Sequence, residues 1–272
     1  MHSRIFFLVV LLAAAFALAG LWMERRGCLD CFARHLMFDS LRLPYPEPPE
    51  PEKWSALTAV ERLADTRARL LPGLHDELAM RGTSPGAQAY LRAFKESREL
   101  ELWLRDGSEW VLFRNYPVAA LSGGPGPKQR EGDGQVPEGF YAVERGALNP
   151  ASSFHLSFNI GYPNAHDRHL GRTGSFIMVH GSNVSIGCLA MTDPVIEEIY
   201  LIVEAALDAG QRAVPVHVFP FRMTDARMEL ARESEWHSFW SELRAAHDAF
   251  EQTGKPPRVA FEAGRQVITP ER

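Results

Sequence analysis

The chain has 272 residues, of which 46% are hydrophobic and 23% are charged. This composition is typical of a globular protein with one sizeable core of about 150–200 residues and appended segments. The formal net charge of −5 and the lack of a long basic stripe argue against a nucleic-acid-binding protein. No internal repeat is apparent in the sequence, so a repeat architecture is not expected.

The N-terminal segment, residues 1–23, predicts either a signal peptide or a membrane anchor. Ile5 to Met23 is a run of nineteen apolar or small residues behind Arg4. Ala17-Leu18-Ala19 is typical of a signal-peptidase site, whereas the run is close to the ~20 residues that a spanning helix needs. Both alternatives place the rest of the chain outside the cytoplasm.

Residues 24–53 are predicted to form a short Cys-x-x-Cys segment and a proline-rich linker. Cys28 and Cys31 have no second cysteine pair or histidine cluster nearby, which argues against a zinc site and favours a local disulfide over loose thiols. Pro44 to Pro51 favours a polyproline II spacer, with an ordered strap packed on the domain as the alternative. The third cysteine, Cys188, is then a free thiol.

Residues 54–98 are predicted to be helical. Leucines recur at three- and four-residue steps from Trp54 to Arg81, and Pro72-Gly73 is expected to break that helix. A second short helix is predicted from Pro85 to Lys95, because Ser84 is a suitable N-cap and proline is favoured at the first helical position.

From Leu100 onward, apolar residues recur at every second position, which predicts strands. Leu100 to Leu104 and Trp110 to Phe113 predict a β-hairpin across Asp106-Gly107. Tyr116 to Leu121 predicts another short strand. The stretch from Ser122 to Gln135 is rich in glycine, proline and charge, so it predicts a surface loop.

Strands and helices alternate through the second half of the chain. The predicted strands are Phe154–Ile160, Phe176–Val179, Val214–Phe219 and Arg258–Phe261, and the predicted helices run from Asp193 to Gly210 and from Trp236 to Gly254. Asp193 and Pro194 are expected to start the first helix as cap and first-turn proline. Because this start lies shortly after Cys188, the helix dipole is expected to lower the thiol pKa.

One stretch combines a histidine and a cysteine in a setting that suits nucleophilic catalysis. The predicted strand ending at Val179 leads into His180-Gly181, and a polar turn brings in Ser185-Ile186-Gly187-Cys188. The His180 imidazole can take the thiol proton, while a carbonyl beside Gly181 holds the other ring nitrogen. The alternative is a buried structural thiol near a satisfied core histidine.

The backbone around the sulfur is expected to support an oxyanion. Gly187 leaves room for an acyl carbonyl, and the N–H groups of Gly187, Cys188 and Leu189 can face its oxygen. Gly181 is expected to give backbone support. Ser185 either braces the turn by hydrogen bonding or simply suits turn chemistry.

These residues resemble a known family. His180-Gly181 followed by Ser185-x-Gly187-Cys188 resembles the signature of the YkuD-type L,D-transpeptidases, and the string H-G-S-N-V-S-I-G-C-L-A-M-T-D resembles their YafK-like branch. The similarity runs from about Phe94 to Val259. Two departures stand out, because Ile186 replaces a usual histidine and Ala190 replaces a usual arginine.

The resemblance implies a fold and an activity. The fold is expected to be mainly β with flanking helices (α+β), with a catalytic domain over residues 99–262 and a tail over 263–272. It implies Cys188 as nucleophile and His180 as proton acceptor and donor, acting on peptidoglycan stem peptides without a cofactor or metal. Water or an amine would resolve the thioacyl-enzyme, and YafK-like relatives include an enzyme that detaches an outer-membrane lipoprotein. A periplasmic location follows, anchored to the inner membrane if residues 1–23 are uncleaved.

Candidate substrate-groove residues lie in two loops. Tyr162, Asn164 and Arg172 precede the strand that carries His180, and Lys128 lies in the glycine-rich loop, where it can meet a stem-peptide carboxylate. The loop histidines beside Asp167 are more typical of exposed residues than of a metal site. Two rival functions remain open: a catalytically inactive wall-binding scaffold and a cysteine peptidase acting on proteins.

Overall fold

The computed structural model describes residues 57–271. The predicted signal or anchor segment, the Cys28–Cys31 pair and the proline-rich linker lie outside the described residues. Within the part that the structure describes, no helix is both long and apolar enough to span a bilayer.

The first described element is helix α1, Ala59–Met80. A capping box starts it: the Glu61 N–H donates to the Thr58 hydroxyl and the Thr58 N–H donates to the Glu61 carboxylate. Pro72 lies inside this helix, so the predicted break is wrong. The continuous helix buries one leucine-rich side, including Leu70, Leu74 and Leu78, and this tertiary packing outweighs the local cost of the proline.

The larger sheet has five strands in the order β3-β2-β1-β9-β4. Their bounds are Ala89–Phe94 (β1), Glu99–Asp106 (β2), Glu109–Pro117 (β3), Gly139–Glu144 (β4) and Ala213–Phe219 (β9). β1 pairs antiparallel with β2 and parallel with β9, and β4 pairs antiparallel with β9. The predicted hairpin and the predicted strand from Val214 to Phe219 are therefore confirmed.

Strand β1 corrects the predicted helix from Pro85 to Lys95. All six residues of β1 are buried, because β2 and β9 flank it and both of its faces are covered. A strand buried on both faces shows no alternation that would distinguish it from a short buried helix. The sheet therefore starts before Leu100, the residue at which the change in apolar spacing predicts the first strand.

The smaller sheet has four short strands in the order β5-β6-β7-β8. They are Leu148–Asn149 (β5), Ser157–Asn159 (β6), Met178–His180 (β7) and Leu189–Ala190 (β8), and a 3₁₀ turn at Arg145–Ala147 precedes β5. The predicted strand Phe154–Ile160 is reduced to the three residues of β6. His155 has a φ of 68°, which is incompatible with a strand.

Helices and a final hairpin complete the described chain. They are Ala165–His169 (α2), Asp193–Asp208 (α3), Asp225–Leu230 (α4), His237–Thr253 (α5), Arg258–Glu262 (β10) and Arg265–Thr269 (β11). Gly254 ends α5 in the left-handed conformation, as predicted. The residues predicted as a tail, 263–272, include the strand β11, which pairs antiparallel with β10.

Helix α3 lies in the centre of the main core. It packs against α1, β1, β9 and the smaller sheet, burying Ile196, Ile199 and Val203 completely. Thr192 rather than Asp193 is its N-cap, since the Asp193 carboxylate instead accepts the Ser182 N–H at 2.7 Å. This bond ties the start of α3 to the turn behind His180.

Candidate active site

The parallel pair β7–β8 sets the positions of the predicted nucleophile and base in the small sheet. Val179 pairs with Leu189, and His180 pairs with Ala190. Cys188 directly precedes β8 and is therefore level with Met178, two positions before His180 in register. The structure thus places the two predicted catalytic residues on neighbouring strands, although eight residues separate them in sequence.

The Cys188 sulfur is a free, half-buried thiol held by β7. The Met178 N–H donates to Sγ at 3.4 Å, and the thiol donates to the Phe176 carbonyl at 3.6 Å. Burial raises the pKa of the Cys188 thiol, although the Met178 N–H and the charge of Lys128 oppose that rise. The net direction is therefore opposite to the lowering expected from the helix dipole, whose own contribution stays a prediction, and a thiol with a raised pKa benefits from a base.

The His180 ring has the tautomer that a general base needs. Its Nδ1 lies 2.6 Å from the Gly181 carbonyl oxygen, which can only accept, so Nδ1 carries the proton and Nε2 keeps its lone pair. Burial lowers the pKa of His180, while the Gly181 carbonyl and the Asp193 carboxylate oppose the change. The Phe154 ring packs on the imidazole with 4.8 Å between the centroids. The lowered pKa favours the neutral imidazole, which is the form that a general base needs.

The sulfur and the imidazole have separate hydrogen-bond partners in this state. The bonds of Sγ within residues 57–271 go to Phe176 and Met178, and that of the His180 ring goes to Gly181. Hydrogen bonds between nucleophile and base are often loose in unliganded sites and tighten when substrate binds. The catalytic roles of Cys188 and His180 remain predictions.

Gly181 is required by close packing behind the histidine. A Cβ at this position would lie 2.4 Å from Asp193 Oδ1 and 2.7 Å from the Phe154 carbonyl oxygen. The Gly181 N–H donates to the carbonyls of Phe154 and Leu156 at 3.0 and 3.1 Å. The predicted close backbone passage is confirmed, and it holds the carbonyl that fixes the His180 tautomer.

Two of the three expected oxyanion donors, the N–H groups of Gly187 and Cys188, are already bonded in this structure, which corrects the expectation of free donors at these two positions. The Gly187 N–H donates to the Ser122 hydroxyl at 2.6 Å, and the Cys188 N–H donates to the Ser185 hydroxyl at 2.9 Å. Leu189 lies in the β7–β8 ladder. Ser185 also donates to the Cys188 carbonyl at 2.7 Å, so it braces the turn.

Tyr162 and Asn164 lie at the cleft described below, but their polar groups serve the loop. The Tyr162 hydroxyl is 3.2 Å from the carbonyls of Lys128 and Thr173. The Asn164 side chain caps α2 by accepting the Asp167 N–H at 2.8 Å, and its amide donates to the Phe140 carbonyl. Both residues shape the wall rather than present a free polar group to it.

Arg172 and Lys128 are buried, which corrects their expected role as open groove residues. Arg172 pairs with the Asp167 carboxylate at 2.9 Å. The Lys128 ammonium binds the Asp133 carboxylate at 2.6 Å and the Arg130 carbonyl at 2.9 Å, so the glycine-rich loop is folded around it. The charge of Lys128 still acts on the Cys188 thiol, whose pKa it lowers.

A large cleft of about 1510 Å³ has Phe176 and Met178 in its lining, whereas Cys188 and His180 are not part of that lining. The backbone of Phe176 and Met178 contacts Sγ, so the cleft comes near the sulfur through these two residues. Its other walls come from β4, the loop around α2 and the hairpin β10–β11. The sequence predicts the strand β10 but gives no signal that it forms a wall of the cleft, and it gives none for the bond between Ser122 and Gly187.

Comparison with known proteins identifies this architecture. The family model of YkuD, the L,D-transpeptidase catalytic domain, matches residues 88–218. The chain belongs to this family, whose members act on peptidoglycan stem peptides. A peptidoglycan-related, L,D-transpeptidase-like role follows. The chain is 47% identical over 184 residues to "Putative L,D-transpeptidase YafK" of Escherichia coli K12, a match that covers 68% of this chain and 75% of that protein.

Solved structures with similar folds include the helical cell shape determining protein Pgp2 of Campylobacter jejuni. Its K307A mutant is 20% identical, with a TM-score of 0.40, and the match covers 64% of this chain and 62% of that chain. A second Pgp2 structure is 18% identical, also with a TM-score of 0.40, and the match covers 70% of this chain and 80% of that chain.

Proposed function

We propose that the protein is a periplasmic cysteine enzyme that breaks an amide bond at the L-centre of a diaminopimelate residue in peptidoglycan. The observation that carries the proposal is the bond from His180 Nδ1 to the Gly181 carbonyl, on the strand beside the Cys188 thiol. This bond leaves Nε2 as the only ring nitrogen able to accept a proton. A thiol with a raised pKa needs such a base.

The reaction has two halves. His180 Nε2 takes the thiol proton, Cys188 Sγ attacks the amide carbonyl carbon, and the C–N bond breaks as the imidazolium returns the proton to the leaving nitrogen. A thioester remains on Cys188. Water or an amine then attacks this thioester, giving up a proton to His180, and the thiolate leaves and is reprotonated.

We infer that hydrolysis is the favoured second half. Ala190 stands where the family usually has an arginine, so the usual contact to a donor peptide is missing on β8. Because this departure from the family pattern affects the usual placement of the donor peptide for cross-linking, we take water as the acceptor. The substrate would then be stem peptide that carries a linked lipoprotein, and the product would be free lipoprotein. The N-terminal segment would hold the enzyme at the inner membrane if it is not cleaved.

The test is incubation of the full-length protein with purified sacculi, with and without attached lipoprotein. Mass spectrometry should find released lipoprotein whose linking amine is free, with the diaminopimelate left on the stem peptide, and Cys188→Ala should release none. New cross-links between stem peptides would favour transfer to an amine instead. Intact sacculi that still bind the wild-type protein would favour an inactive scaffold, and cleavage of casein would favour a protein peptidase.

A further inference from the structure

The cleft beside Cys188 is completed by residues outside the matched domain. The family match ends at residue 218, whereas α5 and the hairpin β10–β11 follow it. Arg258 and Phe261 of β10 line the cleft, as do Phe140 and Ala142 of β4. The volume of about 1510 Å³ exceeds that of pockets for drug-sized ligands, which are about 300–1,000 Å³. A peptide chain is therefore a suitable occupant.

His166 gives a second, independent indication of a ligand. This residue lines the cleft and is only 8% exposed, yet neither ring nitrogen has a hydrogen-bond partner within residues 57–271. Its ring stacks on Phe239 with 6.0 Å between centroids and meets Phe261 edge-on at 5.8 Å. Both nitrogens are covered in this state, and buried polar atoms are rarely left unbonded, so a turn of the ring toward the cleft would let a ligand with donors and acceptors bond them.

The charge of the cleft indicates the class of that ligand. Three arginines line it: Arg168, Arg212 and Arg258. Arg168 donates to the Pro163 carbonyl, and no carboxylate of the described chain forms an ion pair with Arg212 or Arg258. Two carboxylates, Glu144 and Glu271, also line the cleft, so the guanidinium groups are in excess. Arg212 and Arg258 are both exposed, and an exposed guanidinium group can bind a carboxylate in a bidentate manner.

We propose that this cleft binds the carboxylate-bearing part of the stem peptide next to the scissile bond, a proposal that rests on the proposed function. Arg212 and Arg258 bind free carboxylates of the peptide, and His166 donates to or accepts from a peptide amide. Phe176 and Met178 mark the end of the cleft at which the reacting carbonyl meets Sγ. The C-terminal hairpin thereby selects the substrate for the adjacent domain.

The test measures binding separately from catalysis. The full-length Cys188→Ala protein is titrated with a disaccharide-tetrapeptide from peptidoglycan and with the same compound after its carboxylates are amidated. We expect Arg212→Ala and Arg258→Ala each to weaken binding of the first ligand about tenfold, as for the loss of a charge-assisted bond. Arg265→Ala is the matched control, because it removes the same charge from an exposed position of the same hairpin outside the cleft lining.

Two further measurements complete the design. His166→Phe keeps a stacking ring without its nitrogens and should weaken the binding of both ligands. Arg258→Lys keeps the charge and should recover part of the affinity, which guards against a variant that is merely misfolded. Thermal unfolding midpoints of all variants are measured in parallel.

Three results would overturn the proposal: equal affinities for the free and amidated ligands, equal effects of Arg258→Ala and Arg265→Ala, or equally tight binding of an acidic peptide unrelated to the wall. A dimer in sedimentation that Arg258→Ala dissociates would assign the cleft to a second copy instead. If wild-type protein fails to process sacculi while these affinities differ as expected, the proposed function fails and the binding site stands.

Discussion

His180 Nδ1 lies 2.6 Å from the carbonyl oxygen of the next residue in the chain, Gly181. Such a contact is possible because Gly181 has no side chain to collide with the Asp193 carboxylate and the Phe154 carbonyl. The peptide that orients the base is thus itself fixed by α3 and by the segment before β6. Substitution of His180 or Gly181 should therefore affect the reaction, because the contact between them sets the tautomer of the imidazole ring.

The first prediction concerns the base. His180→Gln should lower kcat/KM for release of lipoprotein from sacculi by at least about 100-fold, because general-base catalysis typically contributes 10²–10⁴-fold. The measurement is the initial rate at several substrate loads. His75→Gln, an exposed histidine of α1, is the matched control and should keep wild-type activity. A His180→Gln enzyme with a normal rate would show that another group deprotonates Cys188.

The second prediction concerns pH. Burial raises the pKa of the Cys188 thiol above its ordinary range and lowers the pKa of His180. Alkylation of Cys188 by iodoacetamide should therefore still accelerate above about pH 8.5, the ordinary cysteine value. On the acid side, kcat/KM should fall only below about pH 6.5, the ordinary histidine value, because the lowered pKa of His180 keeps the base neutral to a lower pH.

The alkylation profile has two internal checks. Cys188→Ala supplies the background from the other cysteines. Lys128→Met removes the positive charge that lowers the thiol pKa, so its profile should move to higher pH. A wild-type rate that is already constant above about pH 7.5 would contradict the raised thiol pKa.

Much of the fold could be predicted where local pattern and burial agree. The β2–β3 hairpin alternates because one face is buried, and α5 repeats its apolar residues because only one side packs. β1 could not be predicted, since it is buried on both faces and its charged residue, Arg92, is paired inside the sheet with Glu101. The spacing of apolar residues in one strand does not show which other strands it pairs with.

The candidate site also has contacts that the sequence could predict and contacts that it could not. The contact between His180 and Gly181 joins neighbours in sequence, so a glycine beside a histidine could predict it. The bond between Ser122 and Gly187 spans 65 residues and depends on how the glycine-rich loop folds. The same loop buries Lys128, whose charge alone predicts exposure. Long-range contacts of this kind need the tertiary structure.

The third prediction concerns the space behind the base. Gly181→Ala places a methyl group within 2.4 Å of the Asp193 carboxylate, so the start of α3 or the His180 peptide must shift. We expect a loss of about 1–3 kcal/mol in the free energy of unfolding, the usual cost of overpacking, and a fall in kcat. Gly124→Ala is the control, since its Cβ would meet nothing within 4 Å. Urea unfolding of both variants and their rates on sacculi measure the two effects.

The last prediction concerns acid stability. Burial alone would raise the pKa of Glu101, but Arg92 and Arg222, at 2.7 and 2.6 Å, lower it to about 2. A carboxyl group whose folded-state pKa is depressed stabilises the fold above its unfolded-state pKa, and this stability is lost as pH falls toward the folded value. The wild type should therefore lose on the order of 3 kcal/mol between about pH 5 and pH 2 through this group.

Glu101→Gln removes this dependence and takes one carboxylate partner from each of Arg92 and Arg222, which keep Glu251 and Glu99. The variant should therefore be less stable than wild type at pH 7. The difference between the two proteins should shrink as pH falls toward 2. Glu109→Gln, at the exposed start of β3, should follow the wild-type curve. Urea unfolding at each pH measures the three curves. A Glu101→Gln protein that stays parallel to wild type throughout would mean that Glu101 keeps an ordinary pKa despite its two arginines.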